Sequence, residues 1–369
     1  MRKFPKERRE IDGKKQGGSD VNGIEKKEKG QKVIEKKPPY KAYLLFGLFL
    51  ILLPTVQKMG LIGSATITVL GTVIFYAIVG IGMNVLLGYS GLISLGTAGF
   101  MGMGAYLSAY LTADLNLPFL LSVIVSVGIP LIIGLVIGLI SLRLAGYYLA
   151  IATLAVSEIF RQVFIEWDAV TNGFSGKNAS YPKLFGVIQF DRQLTFIFMV
   201  VVLIGLMIFT YNFIHSRTGR ALLTMRGSEA AAQAMGINLL RYKLTAFGIA
   251  TAYAAIGGVL YVHFIRFAYP SGWNLMLSLQ ILAVIVIGGM QTIEGPILGS
   301  FVVFGVPELI LKQLPVIGNV DGLAYVFTGV LIVVVIMFYP SGMIYLGNDI
   351  KKFWKKGRKH GKEQLPASE

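Results

Sequence analysis

Residues 84–104 read NVLLGYSGLISLGTAGFMGMG, an apolar stretch in which six of the 21 residues are glycine. Glycine interrupts a helix and frees backbone N–H and C=O groups, which lipid cannot satisfy. Irregular backbone at membrane depth is tolerated only against protein or a water-filled cavity. The stretch therefore predicts an interrupted or re-entrant segment within a membrane protein.

A second stretch, 288–299, has the same character, with Gly288, Gly289, Gly295 and Gly299 among apolar residues. Two glycine-interrupted apolar segments in separate halves of a chain are a pointer to a transport path, although small residues also serve plain helix contacts. The polar groups of the first stretch are uncharged, as transient binding of a zwitterion would require. The candidate path residues are Asn84, Gly88, Tyr89, Ser90, Gly91, Ser94, Gly96, Gly288 and Gly289.

The composition excludes several classes of protein. The chain has 369 residues, of which 54% are hydrophobic and only 14% charged, and it has no cysteine. Soluble domains carry about 25% charged residues, so a soluble enzyme, a disordered protein and a disulfide scaffold are all disfavoured. The composition indicates a polytopic integral membrane protein.

The predicted fold is all-α, with about ten transmembrane helices (8–10) and glycine-rich interrupted or re-entrant segments. A helix needs about 20 residues to cross a hydrocarbon core of about 30 Å. Three of the apolar runs (41–57, 97–113 and 276–291) are short enough to be tilted, interrupted or re-entrant. The ten runs are 41–57, 65–87, 97–113, 118–141, 146–165, 193–214, 242–264, 276–291, 296–312 and 322–340.

The net charge of +15 is confined to three segments: 1–41 (+7), 215–243 (+4) and 348–369 (+4). These bases flank apolar runs, which is typical of cytoplasmic loops and not of a nucleic-acid surface. Ten crossings with both termini inside place all three segments in the cytoplasm. We predict a basic, disordered arm over 1–40 that lies against membrane lipid, a transmembrane domain over 41–347 and a basic tail over 348–369.

No catalytic or metal-binding pattern stands out. The glycine–lysine pairs at 13, 176 and 361 are not followed by Ser or Thr, so none completes a phosphate-binding loop. The three histidines are far apart in sequence, and no zinc-binding pattern is present. We expect no enzyme activity, no ATPase site, no cofactor and no bound metal.

The loop 215–241 contains a predicted short helix. Ser228 can cap it, Glu229 lies in the first turn where the helix dipole favours a negative charge, and four alanines follow. Gly236 provides the C-terminal stop. The small side chains would let another protein approach closely, although an ordinary interfacial helix fits the pattern too.

Glu158 and Arg161 are three residues apart in the fifth apolar run and can pair on one helix face. Each charge at membrane depth costs at least about 2.5 kcal/mol. We therefore expect an internal, structural ion pair near the outer end of that helix.

The loop resembles the EAA-type coupling loop of ABC importer membrane subunits. More narrowly, residues 65–345 resemble the permease of branched-chain amino acid ABC transporters (LivM type). The chain departs from the family at Thr97, where many relatives have His, and at Phe174-Ser175 in the outer loop. The resembling segments are 84–96, 104–106, 147–155, 158–161, Thr171-Asn172-Gly173, Gly176, 241–243, Gly257-Gly258, Gly288-Gly289, Gly295-Pro296 and 339–342.

The resemblance implies a subunit that imports branched-chain amino acids (Leu, Ile, Val) across a bacterial inner membrane. It implies three kinds of partner: two ABC ATPases that bind the ATP, a second homologous permease and an extracytoplasmic amino-acid-binding protein. Urea, amides or other amino acids are alternative cargoes, and an ion-coupled secondary transporter is an alternative class. The implied ATPase-coupling residues are Arg226, Glu229, Ala230, Ala231, Gly236 and Ile237.

Overall fold

The computed structural model describes residues 38–60, 63–141, 147–184, 188–309, 322–338 and 342–345. The predicted arm, apart from its last three residues, and the predicted tail lie outside the described residues. So does the C-terminal end of the ninth apolar run.

The described chain is mostly helical, and helical residues lie within each of the ten predicted apolar runs, although a π-helical turn at Phe301–Gly305 divides the ninth. Four two-residue strands are the exception: β1 (Lys177–Asn178), β2 (Lys183–Leu184), β3 (Ile188–Gln189) and β4 (Phe267–Ala268). The helices are α1 (Tyr40–Lys58), α2 (Ser64–Asn84), α3 (Thr97–Ala113), α4 (Phe119–Ser141), α5 (Tyr147–Glu166), α6 (Asp168–Thr171), α7 (Arg192–His215), α8 (Arg217–Gly227), α9 (Glu229–Ala234), α10 (Leu239–Ile265), α11 (Leu275–Gly288), α12 (Gly295–Ser300), α13 (Val306–Leu309) and α14 (Leu323–Phe338).

Six of these helices are long and apolar enough to cross a membrane: α1, α2 with its extension to Tyr89, α4, α5, α7 and α10. Shorter apolar helices lie at Leu275–Gly288, Gly295–Leu309 and Tyr325–Val335, and α3 has 17 residues. The part of the chain that the structure describes is therefore predominantly helical, and its long apolar helices indicate a multi-pass membrane protein. The count of ten crossings stays a prediction.

The core forms around α10, which packs against α2, α3 and α4. The helices α3 and α10 approach each other closely because they meet at small residues. A Cβ atom at Gly258 would lie 1.9 Å from the carbonyl oxygen of Met101, and one at Gly104 would lie 2.4 Å from that of Ala255. Close backbone contact of this kind is how membrane helices associate without a hydrophobic driving force.

A second packed group joins α11 and α12 to α2. The Ser300 hydroxyl donates a buried hydrogen bond of 2.8 Å to the carbonyl of Val73 in α2. Through these contacts α2 touches both halves of the chain, and its C-terminal end lies where the two glycine-rich stretches meet.

The segment between α5 and α7 is fastened to the ends of α3 and α10. Strand β1 pairs with β4 directly after α10, and Lys177 forms an ion pair with Asp114 at the end of α3. The His263 ring in α10 hydrogen-bonds the Ser180 carbonyl at 2.8 Å. These contacts mark one end of the bundle, opposite to the end that carries α8 and α9.

Candidate translocation site and coupling element

The first glycine-rich stretch is a break between α2 and α3. The helix α2 widens into a π-helical turn at Val85–Tyr89, and α3 starts only at Thr97. Gly91 within the break has φ +74°, which side-chain-bearing residues rarely adopt. The prediction of an interrupted segment holds at this position.

Hydroxyl groups of three residues in other helices accept hydrogen bonds from backbone N–H groups at the start of α3, where the helix itself offers no acceptor. Thr153 and Ser157 of α5 accept hydrogen bonds of 3.0 Å from the amides of Leu95 and Gly99, and Ser278 of α11 accepts one of 3.1 Å from Ala98. The sequence reasoning missed these residues. The available signal was the spacing of Thr153 and Ser157, which places two hydroxyl groups four residues apart on one face of an apolar helix.

The second glycine-rich stretch is a break between α11 and α12. Gly289 (φ +125°) and Gln291 (φ +62°) turn the chain sharply, and α12 starts at Gly295. A Cβ atom at Gly288 would lie only 1.9 Å from the Gly295 carbonyl oxygen. The two helix ends are therefore held closer than any other residue at 288 would allow.

The structure brings the two breaks into direct contact. The buried Asn84 amide donates to the Thr292 carbonyl at 2.6 Å and accepts from the Gln291 amide at 3.1 Å. The Tyr89 hydroxyl donates to the Gln291 carbonyl at 2.6 Å. The side chains predicted as polar path groups are thus engaged with the backbone of the other break.

The two predicted path serines are also engaged locally. Ser90 donates to the Leu86 carbonyl at 2.5 Å, and the Ser94 hydroxyl accepts from the Gly96 amide at 3.3 Å. Ser94 in addition lines a narrow cavity between α2, α3 and α10. Hydroxyl groups on this cavity wall come from Ser94, Thr97 and Thr251, and the remaining wall is apolar: Met83, Leu86, Phe100, Phe247, Ala250 and Ala254.

The predicted coupling helix is α9, and its capping follows the sequence pattern. Ser228 accepts a hydrogen bond of 3.2 Å from the Ala231 amide at the N-terminus, and Gly236 follows the helix with φ +79°. Ala230 and Ala231 are exposed, whereas Ile237 is half-buried against the core. The helix therefore presents a flat surface of small side chains.

Two charged residues fasten this element to the bundle. Glu229 pairs with the largely buried Lys243 of α10 at 2.7 Å, a contact that the sequence reasoning missed. Arg226, at the end of α8, donates to the Gly88 carbonyl within the first break. The Arg226 side chain also fills the space over Gly91, where a Cβ atom would lie 3.2 Å from the arginine Cγ.

Glu158 and Arg161 form the predicted ion pair, with Arg161 Nε 2.8 Å from Glu158 Oε1. The expectation of an internal pair was wrong, because Glu158 exposes 53% of its side chain on the outside of the bundle. The interior face of α5 is taken instead by Thr153 and Ser157, which hold the first break.

Within the described ranges, no three His, Asp or Glu side chains come together as a metal site. Polar contacts in the described bundle form one group where the breaks, Arg226 and α9 meet, and another at the opposite end around His263. Uncharged polar side chains of the two breaks thus lie next to α8 and the exposed helix α9.

Comparison with known proteins agrees with this arrangement. The family model described as "branched-chain amino acid transport system / permease component" matches residues 65–336. The high-affinity branched-chain amino acid transport system permease protein LivM of Salmonella typhimurium is 28% identical over 334 residues, covering 84% of this chain and 76% of that protein. LivM of Escherichia coli is 28% identical over 316 residues, covering 79% and 71%.

A shorter similarity extends to the fructose import permease protein FruG of Bifidobacterium longum, 29% identical over 120 residues, or 31% of this chain and 35% of that protein. No solved structure matches the chain. The long apolar helices and the permease relatives together define a multi-pass membrane permease. The chain belongs to the branched-chain amino acid permease family, which confirms the resemblance noted in its sequence.

Proposed function

We propose that this chain is a membrane-spanning subunit of a binding-protein-dependent ABC importer in a bacterial inner membrane, and that it carries branched-chain amino acids inward. The observation that carries the proposal is the contact of Arg226 with the Gly88 carbonyl. This contact joins the exposed α8–α9 element directly to the break between α2 and α3, so movement of that element displaces the break.

The proposed complex contains two ABC ATPases, which bind the ATP, a second homologous permease and an extracytoplasmic amino-acid-binding protein. The exposed Ala230 and Ala231 form the contact surface for an ATPase. Closure of the ATPases moves α9, and the break opens the passage to alternate sides of the membrane. Both termini and α9 lie on the cytoplasmic side, in agreement with the positive charge of 215–243.

The path in this proposal runs along the two breaks and the cavity beside Ser94. Its two glycine-rich walls are Gly88, Gly91 and Gly96 on one side and Gly288 and Gly289 on the other. The hydrogen bonds from Asn84 and Tyr89 to the opposite break close it at the end that faces α8. Opening requires that these bonds exchange for bonds to water or solute.

The cavity has room for at most about one water molecule in this structure, so it must widen to admit an amino acid; once widened, its apolar wall suits a branched-chain cargo. Met83, Phe100 and Phe247 offer a surface for an aliphatic side chain, and the hydroxyl groups of Ser94 and Thr97 offer hydrogen bonds without a fixed charge. The LivM relatives from Salmonella typhimurium and Escherichia coli are described as branched-chain amino acid permeases, which agrees with this substrate class.

Copurification tests the coupling surface. We expect Ala230→Arg to abolish recovery of the ATPase with the affinity-tagged permease, because the long charged side chain keeps the ATPase from the α9 surface. The matched control is Ser175→Arg, an equally exposed position at the opposite end of the bundle, which should leave recovery unchanged. Full recovery of the ATPase, and full amino acid uptake, by Ala230→Arg would refute the importer assignment.

A further inference from the structure

A shallow groove of about 400 Å³ lies on the outside of the bundle between α4, α7 and α10. All three helices are long and apolar enough to cross a membrane, so the groove opens towards the lipid tails. Its exposed wall is apolar throughout and suits an aliphatic chain, whereas a zwitterion would lose its hydrogen bonds there. The wall includes Leu131 and Leu135 of α4, Leu206 and Phe209 of α7, and Gly248 and Ala252 of α10.

The groove lies in the leaflet on the side of α8 and α9. Its wall uses the C-terminal half of α7, which leads into α8, and the N-terminal half of α10, which follows α9. From Thr245 to Ala252, the α10 wall extends about 10 Å along the helix axis, at about 1.5 Å per residue. The hydrocarbon region of one leaflet is about 15 Å deep, half that of the bilayer. The groove therefore covers most of the depth that an acyl chain of this leaflet occupies.

Arg241 continues this face of α10 beyond the groove. Positions 241, 245, 248 and 252 are spaced four, three and four residues apart, which places them on one side of a helix. The Thr245 hydroxyl donates to the Arg241 carbonyl at 2.8 Å, one helical turn away. Arg241 is exposed, and among the described residues no group accepts a hydrogen bond from its guanidinium.

Acidic residues do not neutralise the positive charge at this end of the groove. Segment 215–243 has five basic residues and one acid, Glu229. The Glu229 carboxylate is engaged by Lys243 at 2.7 Å. The groove therefore ends at an exposed arginine whose charge suits an anionic partner.

We propose that the groove and Arg241 together bind an anionic phospholipid, with one acyl chain between α4, α7 and α10 and the phosphate against the guanidinium. Basic pockets between membrane helices bind anionic head groups, and a guanidinium can bond two phosphate oxygens at once. A free phosphate would leave the apolar wall uncovered, and a neutral lipid would leave the arginine charge unmatched. The inference depends on the membrane location of the three helices and not on the proposed importer role.

Photo-labelling tests where the acyl chain binds. The full-length protein is placed in phosphatidylcholine vesicles that contain phosphatidylglycerol with a diazirine in one acyl chain, and labelled peptides are identified by mass spectrometry. We expect labelling of 245–252 and of the facing parts of α4 and α7, which additional unlabelled phosphatidylglycerol prevents and additional phosphatidylcholine does not. Equal labelling of other exposed helix surfaces, such as that of α5 at Ile159, would overturn the proposal.

Substitution of Arg241 tests the contact with the phosphate. We expect Arg241→Gln to lower the affinity for phosphatidylglycerol about fivefold in a native mass spectrometry titration, because one basic residue near a membrane surface contributes about this much to the binding of anionic lipid. The matched control is Arg266→Gln, which is also exposed and directly follows the opposite end of α10, and it should leave the affinity unchanged. An equal loss from both variants, or no loss from Arg241→Gln, would contradict the site.

Filling the groove separates the acyl-chain contact from the charge. Ala252→Phe places a ring between the three helices and should release phosphatidylglycerol although Arg241 is intact. Its control, Ala155→Phe, adds the same ring to the exposed side of α5 and should bind as the unaltered protein does. Unchanged lipid affinity of folded Ala252→Phe would overturn the assignment of the groove. Should the ring lower the folded fraction, Arg241→Gln decides the question by itself.

Discussion

Single hydrogen bonds connect the parts of this protein that the sequence keeps far apart. Arg226 and Gly88 are separated by 138 positions, yet the guanidinium binds the carbonyl that the π-helical turn leaves available. A hydrogen bond to a charged group contributes about 1.5–3 kcal/mol. The contact is therefore strong enough for α8 and the first break to move together.

We expect Arg226→Ala to lower amino acid uptake by at least about tenfold while abundance and ATPase recovery change little, because the lost bond uncouples the break from α8. Uptake of labelled leucine into cells, normalised to the amount of complex, measures the effect. The control is Arg220→Ala in the same helix, since Arg220 is exposed and donates only to the His215 carbonyl at 3.1 Å.

Normal uptake by Arg226→Ala would show that the arginine fixes the local fold and nothing more. An equal loss from both variants would trace the effect to the positive charge of α8 in general.

For individual residues, the sequence predicted which side chains are polar or charged better than it predicted their hydrogen-bond and ion-pair partners. Asn84 and Tyr89 could be recognised as polar groups in an apolar stretch, but their bonds to Gln291 and Thr292 depend on a contact between distant segments. Lys243 carried no signal that it would pair with Glu229. Pairings of this kind arise from the packing of helices, which local pattern does not determine.

Individual helices are positioned by glycine contacts that leave no space for a Cβ atom. Gly288 shows this most clearly, because the obstacle is the carbonyl of Gly295 rather than a movable side chain. The α11–α12 break exists in this form only while that position lacks a side chain.

We expect Gly288→Ala to reduce the amount of folded protein in the membrane severely, since the methyl group forces α11 and α12 apart and removes bonds between the breaks; overpacking of this kind costs about 1–3 kcal/mol. Fluorescence-detected size-exclusion chromatography of a tagged chain measures the folded fraction.

The matched control is Gly205→Ala in α7, where nothing lies within 4 Å of the added atom. It should behave as the unaltered chain, or slightly better, because alanine favours the helix. Wild-type abundance of Gly288→Ala would show that the break can rearrange around a side chain.

Helices and their interruptions were predictable from the sequence because apolar runs and glycine clusters act locally. The predicted run 97–113 coincides with α3 (Thr97–Ala113), and 118–141 differs from α4 by one residue. The orientation of α5 was not predictable. Its polar residues fall on two faces, and the pattern does not say which face, that of Ser157 or that of Glu158, turns inward.

For the whole molecule, the proposed orientation can be tested with a chain that has no cysteine of its own. Phe174, before β1, and Met235, after α9, are highly exposed at 82% and 74%. We expect Phe174→Cys to react with a membrane-impermeant maleimide in intact cells, and Met235→Cys to react only after the membrane is permeabilised.

Each variant serves as the control for the other, since both carry a single exposed thiol. Labelling of Met235→Cys in intact cells would place α9 outside and remove the basis for an ATPase contact. Equal labelling of both positions before permeabilisation would contradict an odd number of crossings between them.

Fold class and family could be predicted at this scale, because composition, charge distribution and motif order extend over most of the chain. The exposed position of the Glu158–Arg161 pair could not, since the expected cost of placing charges in lipid pointed to the interior of this chain.

The π-helical turn at Val85–Tyr89 holds one residue more than an α-helical turn would. If that surplus residue passed into the non-helical segment that follows, the last residues of the helix, Tyr89 among them, would rotate by about 100°, the angle per residue of an α-helix. Tyr89 would then swing away from Gln291 without any helix having to tilt. Such a rotation about the helix axis would need little space among tightly packed neighbours. A small displacement at Gly88 would then be enough to release the contact between the two breaks.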